Sequence, residues 1–333
     1  MKKRTTIKTL ATGVVLAACA TGLHAATDVY RQIIVHGTDD SVLATYYESE
    51  LSYLEFVEKE EVYPNAEVYT NGNILIKLSS EVKFKMVKVE GGVDYTLTDN
   101  GTPITAWDAT KHIDTFYIGE YEVTQGLYKE VKGTVPSDQS MIGDNYPVAT
   151  VSWDMIAGSE DNFLTAINKL LAEIKKNNPA VATALGDREF RLPSEWEWEY
   201  AAAGGKEYKT LGYYFSGTSE STTEALETVA VNSVSPNKAT SVAEVGSKLP
   251  NNLGLYDMSG NVYEWCSGLG YPADPTTPGY QSSTSTTLNT SNRPYRSGRW
   301  GNDSAKYFLV NMRNDNVSSY ISSVDSAGFR LVF

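Results

Sequence analysis

Phe190-Arg191-Leu192-Pro193-Ser194-Glu195-Trp196-Glu197-Trp198-Glu199-Tyr200-Ala201-Ala202 is the stretch whose reading decides the fold. Ser194 and Glu197 stand three residues apart just after Pro193, the spacing of a capping box, in which each side chain satisfies a backbone N–H of the other residue. That spacing predicts a helix over Glu195–Ala203, ended by a left-handed terminus at Gly204-Gly205. Aromatic residues dominate here and recur at Trp153, Trp265 and Trp300, supplying core area where regular structure is scarce. Arg191, Glu199, Arg313 and Arg330 suit the same architecture, because planar charge-assisted hydrogen bonds can tie down irregular backbone whose buried polar groups must be paired. These charged residues therefore read as structural and not catalytic.

Working outward, Phe163, Leu164, Ile167, Leu170, Leu171 and Ile174 form an apolar stripe at helical spacing. The stripe ends before Asn178-Pro179, since the residue ahead of a proline disfavours α geometry. Lys83 to Val89 alternates charged and apolar residues as a half-buried strand does, and Asn71-Gly72 and Asp99-Asn100-Gly101 are hairpin signals, the first of the type I′ kind. Elsewhere after Thr210 the signals are loops and short strands. The Ser/Thr-rich stretches 216–223 and 281–291 read as flexible surface loops. The expected division is an export segment over 1–26, a small β-rich region over 27–82 and a main domain over 83–333.

Lys2, Lys3 and Arg4 followed by the apolar run Leu10 to Ala20 have the pattern of an export signal, too short for a stable transmembrane helix. Leu16-Ala17-Ala18-Cys19 is similar to a bacterial lipobox that would lipidate Cys19, and ordinary cleavage after Ala25 or Ala26 is the alternative. Either route puts the protein outside the cytoplasm: a lipoprotein of the outer membrane or cell surface, or a secreted or periplasmic protein. The only expected membrane attachment is acyl chains on Cys19. A formal net charge of −13 argues against nucleic-acid partners, which need a basic stripe to release counterions. Two cysteines, Cys19 and Cys266, leave no intrachain disulfide in a mature lipoprotein, and His24, His36 and His112 cannot build a three-histidine centre once the export segment is lost.

Several segments together resemble the formylglycine-generating-enzyme, or sulfatase-modifying factor, family. They are Met86 to Gly92, Phe116 to Thr124, Tyr146 to Trp153, Phe190 to Ala202, Asn252 to Trp265 and Gly328-Phe329-Arg330, in the family's order. The resemblance implies an α+β domain with the elaborated C-type-lectin-like fold of that family and much irregular structure. Enzymatic members are implied to hold copper through two cysteine thiolates near a Gly-Gly-Ser-Trp-like segment. Here that region runs Ser297-Gly298-Arg299-Trp300-Gly301-Asn302-Asp303-Ser304 and on to Phe308 without a cysteine. Soft Cu(I) selects thiolates, so Asn, Asp or Ser oxygens do not replace them, and Cys266 reads as a small packed residue. No cofactor is required on this reading. The resemblance also implies a candidate structural Ca²⁺ site at Asn261, the Val262 carbonyl and Glu264, hard oxygen donors that could equally cap loops.

Residues 296–333 carry a narrower resemblance, to variable target proteins of diversity-generating retroelements. A frame of Gly298, Trp300, Ala305, Phe308, Val310, Arg313, Asp315, Gly328, Phe329 and Arg330 is filled mostly with Asn, Ser, Asp and Tyr. Such filling suits recognition, because Tyr gives broad contact at low entropic cost and Ser, Asn and Gly give adaptable hydrogen bonding. Arg299, Gly301, Asn302, Asp303, Ser304, Tyr307, Leu309, Asn311, Asn314, Asn316, Ser318, Ser319, Tyr320 and Ser322 are the candidate ligand-binding positions. The expectation is a non-catalytic, surface-displayed receptor or adhesin for a protein or glycan. An undiversified binding protein is one alternative, an ordinary surface coil a second. An enzyme of unidentified reaction using Asp303, Asp315 or Asp325 is the third.

Overall fold

A computed structural model describes residues 62–99, 109–158, 160–267, 292–318 and 326–333, together with the strand residues 16–17, 32–36, 42–47 and 102–103. The chain divides into two compact units, Met1–Val62 and Tyr63–Phe333. In the first, β1 (Leu16–Ala17), β2 (Gln32–His36) and β3 (Val42–Tyr47) form an antiparallel sheet in that order. Leu16 pairs with Val35 and Ala17 with Ile34, so two residues of the expected export segment are drawn in extended pairing.

The larger unit opens with a hairpin of β4 (Asn65–Val68) and β5 (Ile74–Lys77), followed by β6 (Lys83–Val89). Val93–Thr96 is β7, Thr98–Asp99 is β8, Thr102–Pro103 is β9, Thr110–Ile113 is β10 and Phe116–Gly119 is β11. One four-stranded sheet has the order β11-β6-β5-β4, and β7 pairs with β10. The pairing of Asp99 with Thr102 agrees with the hairpin expected there. At the first hairpin only Gly72 is left-handed, with φ 84°, and its N–H donates to the Tyr69 carbonyl. That is a turn followed by a left-handed glycine bulge, not the type I′ turn expected, which needs two positive φ values.

The expected division at 82/83 falls inside this sheet and moves to the junction of Val62 and Tyr63. The reason is packing. Ala66, Ile74, Ile76 and Leu78 share a buried cluster with Met86 and with Phe163, Ile167, Leu171 and Ile174 of α2 (Phe163–Asn177). Asn178 fastens the hairpin to the helices: its amide donates to Asn65 Oδ1 at 3.1 Å and the Ala66 carbonyl at 2.9 Å, while its Oδ1 caps α3 (Pro179–Leu185). A residue can end one helix and start the next because Pro179 at the first helical position needs no N–H partner. α1 (Gln125–Lys132) precedes these helices, capped by Thr124.

α4 (Glu195–Ala202) has the capping box in both directions, and Gly204 follows at φ 100°. After α5 (Tyr208–Leu211), the segment read as a loop over 216–223 is partly ordered structure. Ser216 is buried, donating to the Ala202 carbonyl, and Thr222 caps α6 (Thr223–Val229). Short polar residues favour caps as much as loops, which is why composition misled. The other Ser/Thr stretch, 281–291, lies outside the described residues.

A second four-stranded sheet carries the chain's end. Its strands are β12 (Tyr263–Trp265), β13 (Asn292–Arg296), β14 (Asn314–Ser318) and β15 (Ala327–Phe329), in the order β14-β13-β12-β15 with β15 parallel to β12. Beyond it Leu331 and Phe333 bond to Gly119 and Tyr117, so the terminus stitches the two sheets together. Gly328 permits this: a Cβ there would stand 2.5 Å from the Val148 carbonyl oxygen.

Candidate functional site

The terminal segment is held from below by arginines. Arg330 is fully buried and spends its guanidinium on Glu264 Oε1 and Oε2 at 2.8 and 3.0 Å and on the carbonyls of Gly119, Glu120 and Tyr256. Arg296, also fully buried, donates to Glu195 Oε2 at 3.1 Å and Glu199 Oε2 at 2.9 Å. Arg313 donates to Glu195 Oε2 at 2.6 Å. Glu199 further accepts from Tyr95 and Thr98. Burial pushes Glu195 up, but Arg313 and Arg296 outweigh it and hold its carboxyl below the ordinary value. At Glu199 burial exceeds the pull of Arg296, and the pKa is raised. Of the arginines expected to be structural, Arg313 and Arg330 serve the core. Arg191 instead makes a half-exposed pair with Glu197, and Arg296 was missed. Its place two residues before Gly298 was the available signal.

Above this base the segment splits into fixed and open positions. Phe308, Phe329 and Arg330 are fully buried, with Val310 and Arg313 close behind. Trp300 is half-buried, its backbone N–H bonded to the Asn261 carbonyl and its indole to Ser326 Oγ at 3.2 Å. The two glycines differ instructively. A Cβ on Gly298 would meet the Tyr307 carbonyl oxygen at 2.7 Å and Phe308 at 2.9 Å, whereas one on Gly301 would meet only the mobile end of Arg299. Gly298 belongs to the frame and Gly301 tolerates a side chain.

Among the fourteen candidate positions, Asp303 is exposed, and Arg299, Gly301, Ser304 and Tyr307 are half-buried at the surface of the turn carrying the 3-10 segment Ala305–Phe308. Three others are corrected. Asn302 is buried and works for the loop: Oδ1 accepts from Arg299 N at 2.7 Å and Nδ2 donates to the Tyr263 hydroxyl at 2.7 Å. Leu309 packs with Phe215, Leu226 and Phe308, and Asn311 is buried as well. The side chains of Asn314, Asn316 and Ser318, and residues Ser319, Tyr320 and Ser322, lie outside the described residues, as do the side chain of Asp315 and all of Asp325.

Neighbouring loops enlarge this face in a way the sequence reading missed. The Tyr214 carbonyl accepts from Val310 N and its ring is 42 % exposed. Ser233 Oγ donates to the Asn302 carbonyl, beside partly buried Val234, Tyr307 and Met312. Across Trp300, Met141 and Tyr146 pack on the same small cluster. Only long-range contacts bring these loops together, so no local pattern marks them. Clefts of about 730 and 410 Å³ exist elsewhere, around Phe190 and Trp196 and around Glu120 and Leu127, and none of the fourteen positions lines them.

The donors implied for calcium do not fit a Ca²⁺ cage. Both oxygens of Glu264 face Arg330, one also taking Trp198 Nε1 at 2.8 Å, and Asn261 Oδ1 accepts from Ala243 N. Asn261 Nδ2 in turn donates to the buried Glu122. Nor does the donor set fit thiolate-bound copper: Cys266 is buried and burial pushes its thiol well above the ordinary range. It is the packed residue expected.

A family model described as the sulfatase-modifying factor enzyme 1-like domain matches residues 78–333. The chain belongs to this family. The chaperone protein LppX of Paenibacillus barcinonensis is 31 % identical over 221 residues, 59 % of this chain and 74 % of that one. The formylglycine-generating enzyme of Thermomonospora curvata is 31 % identical over 126 residues, 37 % of this chain and 33 % of that enzyme. Among solved structures, Treponema denticola variable protein 1 superposes with a TM-score of 0.55 at 26 % identity, covering 81 % of this chain and 99 % of its own. The family fixes the α+β fold, and the chain is similar both to enzymes and to a variable protein that share it. Fold alone does not carry function.

Proposed function

We propose that this sulfatase-modifying-factor-type protein is a non-catalytic ligand-binding protein displayed outside the cytoplasm, receptor- or adhesin-like, with a terminal segment diversified by a retroelement. The observation that carries the reading is the split within residues 296–313. Arg296, Gly298, Phe308 and Arg313 are locked below, while Arg299, Gly301, Asp303, Ser304 and Tyr307 emerge on one turn. A locked base lowers the ordering cost of binding, and the exposed side chains set specificity. Similarity to the Treponema variable protein supports it. The expected partner is a protein or glycan, met without a cofactor. The lipobox-like Cys19 supplies the tether, making the protein a lipoprotein of the outer membrane or cell surface. Catalysis on the enzymes' pattern lacks its thiolate pair, and of the carboxylates considered for another chemistry only Asp303 has a described side chain, on the open turn.

The test is genomic and chemical. A near-copy of the DNA encoding 296–333, differing only at adenines and lying beside a reverse transcriptase, is expected, and its absence removes diversification. Conversion of a sulfatase-type cysteine peptide by the purified protein with copper and oxygen would overturn the non-catalytic reading.

A further inference from the structure

Two hydroxyl groups from outside the terminal segment end on the exchangeable turn. Tyr263, on β12, is buried, and its hydroxyl accepts from Asn302 Nδ2 at 2.7 Å. Its ring packs on Tyr295, 4.6 Å between centroids, a contact that phenylalanine would make as well. Ser233 Oγ donates to the Asn302 carbonyl at 2.7 Å. Among the described residues neither hydroxyl makes another hydrogen bond. Both are spent on Asn302 alone.

Asn302 passes that hold on to the backbone. Its Oδ1 accepts from Arg299 N at 2.7 Å and its own N–H donates to the Arg299 carbonyl at 3.0 Å, which closes 299–302 as a turn. The two supports are stiff. β12 is an inner strand, flanked by β13 and β15. Ser233 sits on a loop folded around the buried Asn232, whose Oδ1 accepts from Val234 N at 2.9 Å and Ser235 N at 2.8 Å while Nδ2 donates to the Ala230 carbonyl at 3.1 Å. Gly260 lets that loop come close: its φ is 102°, and a Cβ there would stand 2.6 Å from the Val231 carbonyl oxygen. The turn is bolted from two sides by residues that do not belong to it.

We propose that Tyr263 and Ser233 are positioning residues for ligand binding: through Asn302 they hold the turn in its binding shape, while Arg299, Gly301, Asp303, Ser304 and Tyr307 supply the contacts. The proposal rests on the reading that this turn binds a ligand. A turn that holds its binding shape about a tenth of the time binds about ten times more weakly, whatever the ligand. Hydroxyls that reach no ligand therefore act on every ligand by the same factor, whereas Tyr307 and Asp303 act on each ligand differently. The two bolts also differ from each other. Ser233 grips a backbone carbonyl that any residue at 302 offers, but Tyr263 needs the amide, so Asn302 is not free to exchange as its neighbours are.

The experiment uses the full chain and two variants that each remove one oxygen atom, Tyr263→Phe and Ser233→Ala. Ligands are taken from a random peptide library and a glycan array, and those that Tyr307→Ala weakens are kept as turn binders. Each variant should weaken all turn binders by a common factor of about ten. Amide hydrogen exchange at Arg299 and Asn302 should quicken by a similar factor while α4 and the inner strands keep wild-type rates. Turn binders indifferent to a variant remove that residue from the role. Exchange that quickens by one factor across the whole domain means lost global stability only, and overturns the proposal. Losses that differ from ligand to ligand overturn it too, because they put the hydroxyls in contact with the ligand. If no ligand depends on Tyr307, the reading of the turn as a binding surface falls first and the positioning role falls with it.

Discussion

Two regions of one short segment behave as opposites. Arg296 and Arg313 are buried with every charge answered by Glu195 or Glu199, whereas Arg299, Gly301, Asp303, Ser304 and Tyr307 lie exposed or half-buried on the turn between them. The lesson is that exchangeability is a property of the support: a turn can vary because the residues flanking it are over-determined. Buried ion pairs are weak evidence for net stability, yet removing one partner is costly, and that asymmetry makes them good fixtures.

The comparison breaks most sharply at Arg330. Arg330→Ala strands Glu264 without a counter-charge and frees three backbone carbonyls, so a loss of about 3–5 kcal/mol is expected in urea unfolding. A loss under about 1 kcal/mol would mean the base is not what fixes the segment.

A pH measurement sharpens the same base. Arg330 is committed to Glu264, which leaves Glu122 and Asp257 buried beside it without a cation of their own. Burial raises Asp257 to about 6, and burial with the Asp257 charge raises Glu122. With the native pKa raised, the proton binds the folded state more tightly. Stability from Asp257 is therefore full below about pH 4 and lost as pH climbs through 6, on the order of 3 kcal/mol in all. Asp257→Asn should reduce that slope and leave the part that buried Glu122 contributes, and its left-handed φ of 58° suits Asn. Wild type and Asp257→Asn showing the same dependence of unfolding free energy on pH between 4 and 6.5 would contradict the assignment.

Smaller effects compare the glycines. Gly298→Ala should cost about 1–3 kcal/mol because backbone must move, and Gly301→Ala should stay within about 0.5 kcal/mol because only the Arg299 tip must. Equal costs would erase the distinction between frame and filling. Smallest of all, Tyr307→Ala and Asp303→Ala should leave unfolding unchanged to within about 0.5 kcal/mol while altering which ligands are retained.

Much of this was legible in the sequence where local chemistry decides. Ser194 and Glu197 announced α4, and the 163–174 stripe announced α2. The motif order gave the family. Where contacts are long-range, the signal failed. The Asn65–Lys77 hairpin looked like an appendage because its partner helix lies a hundred residues away, and Thr222 looked like loop because a cap and a coil share composition. At the site, the alternation of frame and filling set Gly298 apart from Gly301, and the space around the two glycines differs in the same sense, but it placed Asn302 and Leu309 on the surface. An Asn that closes a turn and an Asn that meets a ligand are the same letter, and only the Tyr263 hydroxyl tells them apart. Tyr214 and Ser233 carried no local mark at all.

Saturation substitution with selection for protease-resistant display at Arg296, Gly298, Phe308, Arg313 and Arg330 against Arg299, Gly301, Asp303, Ser304 and Tyr307 tests the central claim most directly. The account predicts that nearly every residue type survives in the second group and few in the first. Equal tolerance in both groups, or intolerance at the turn, would contradict it.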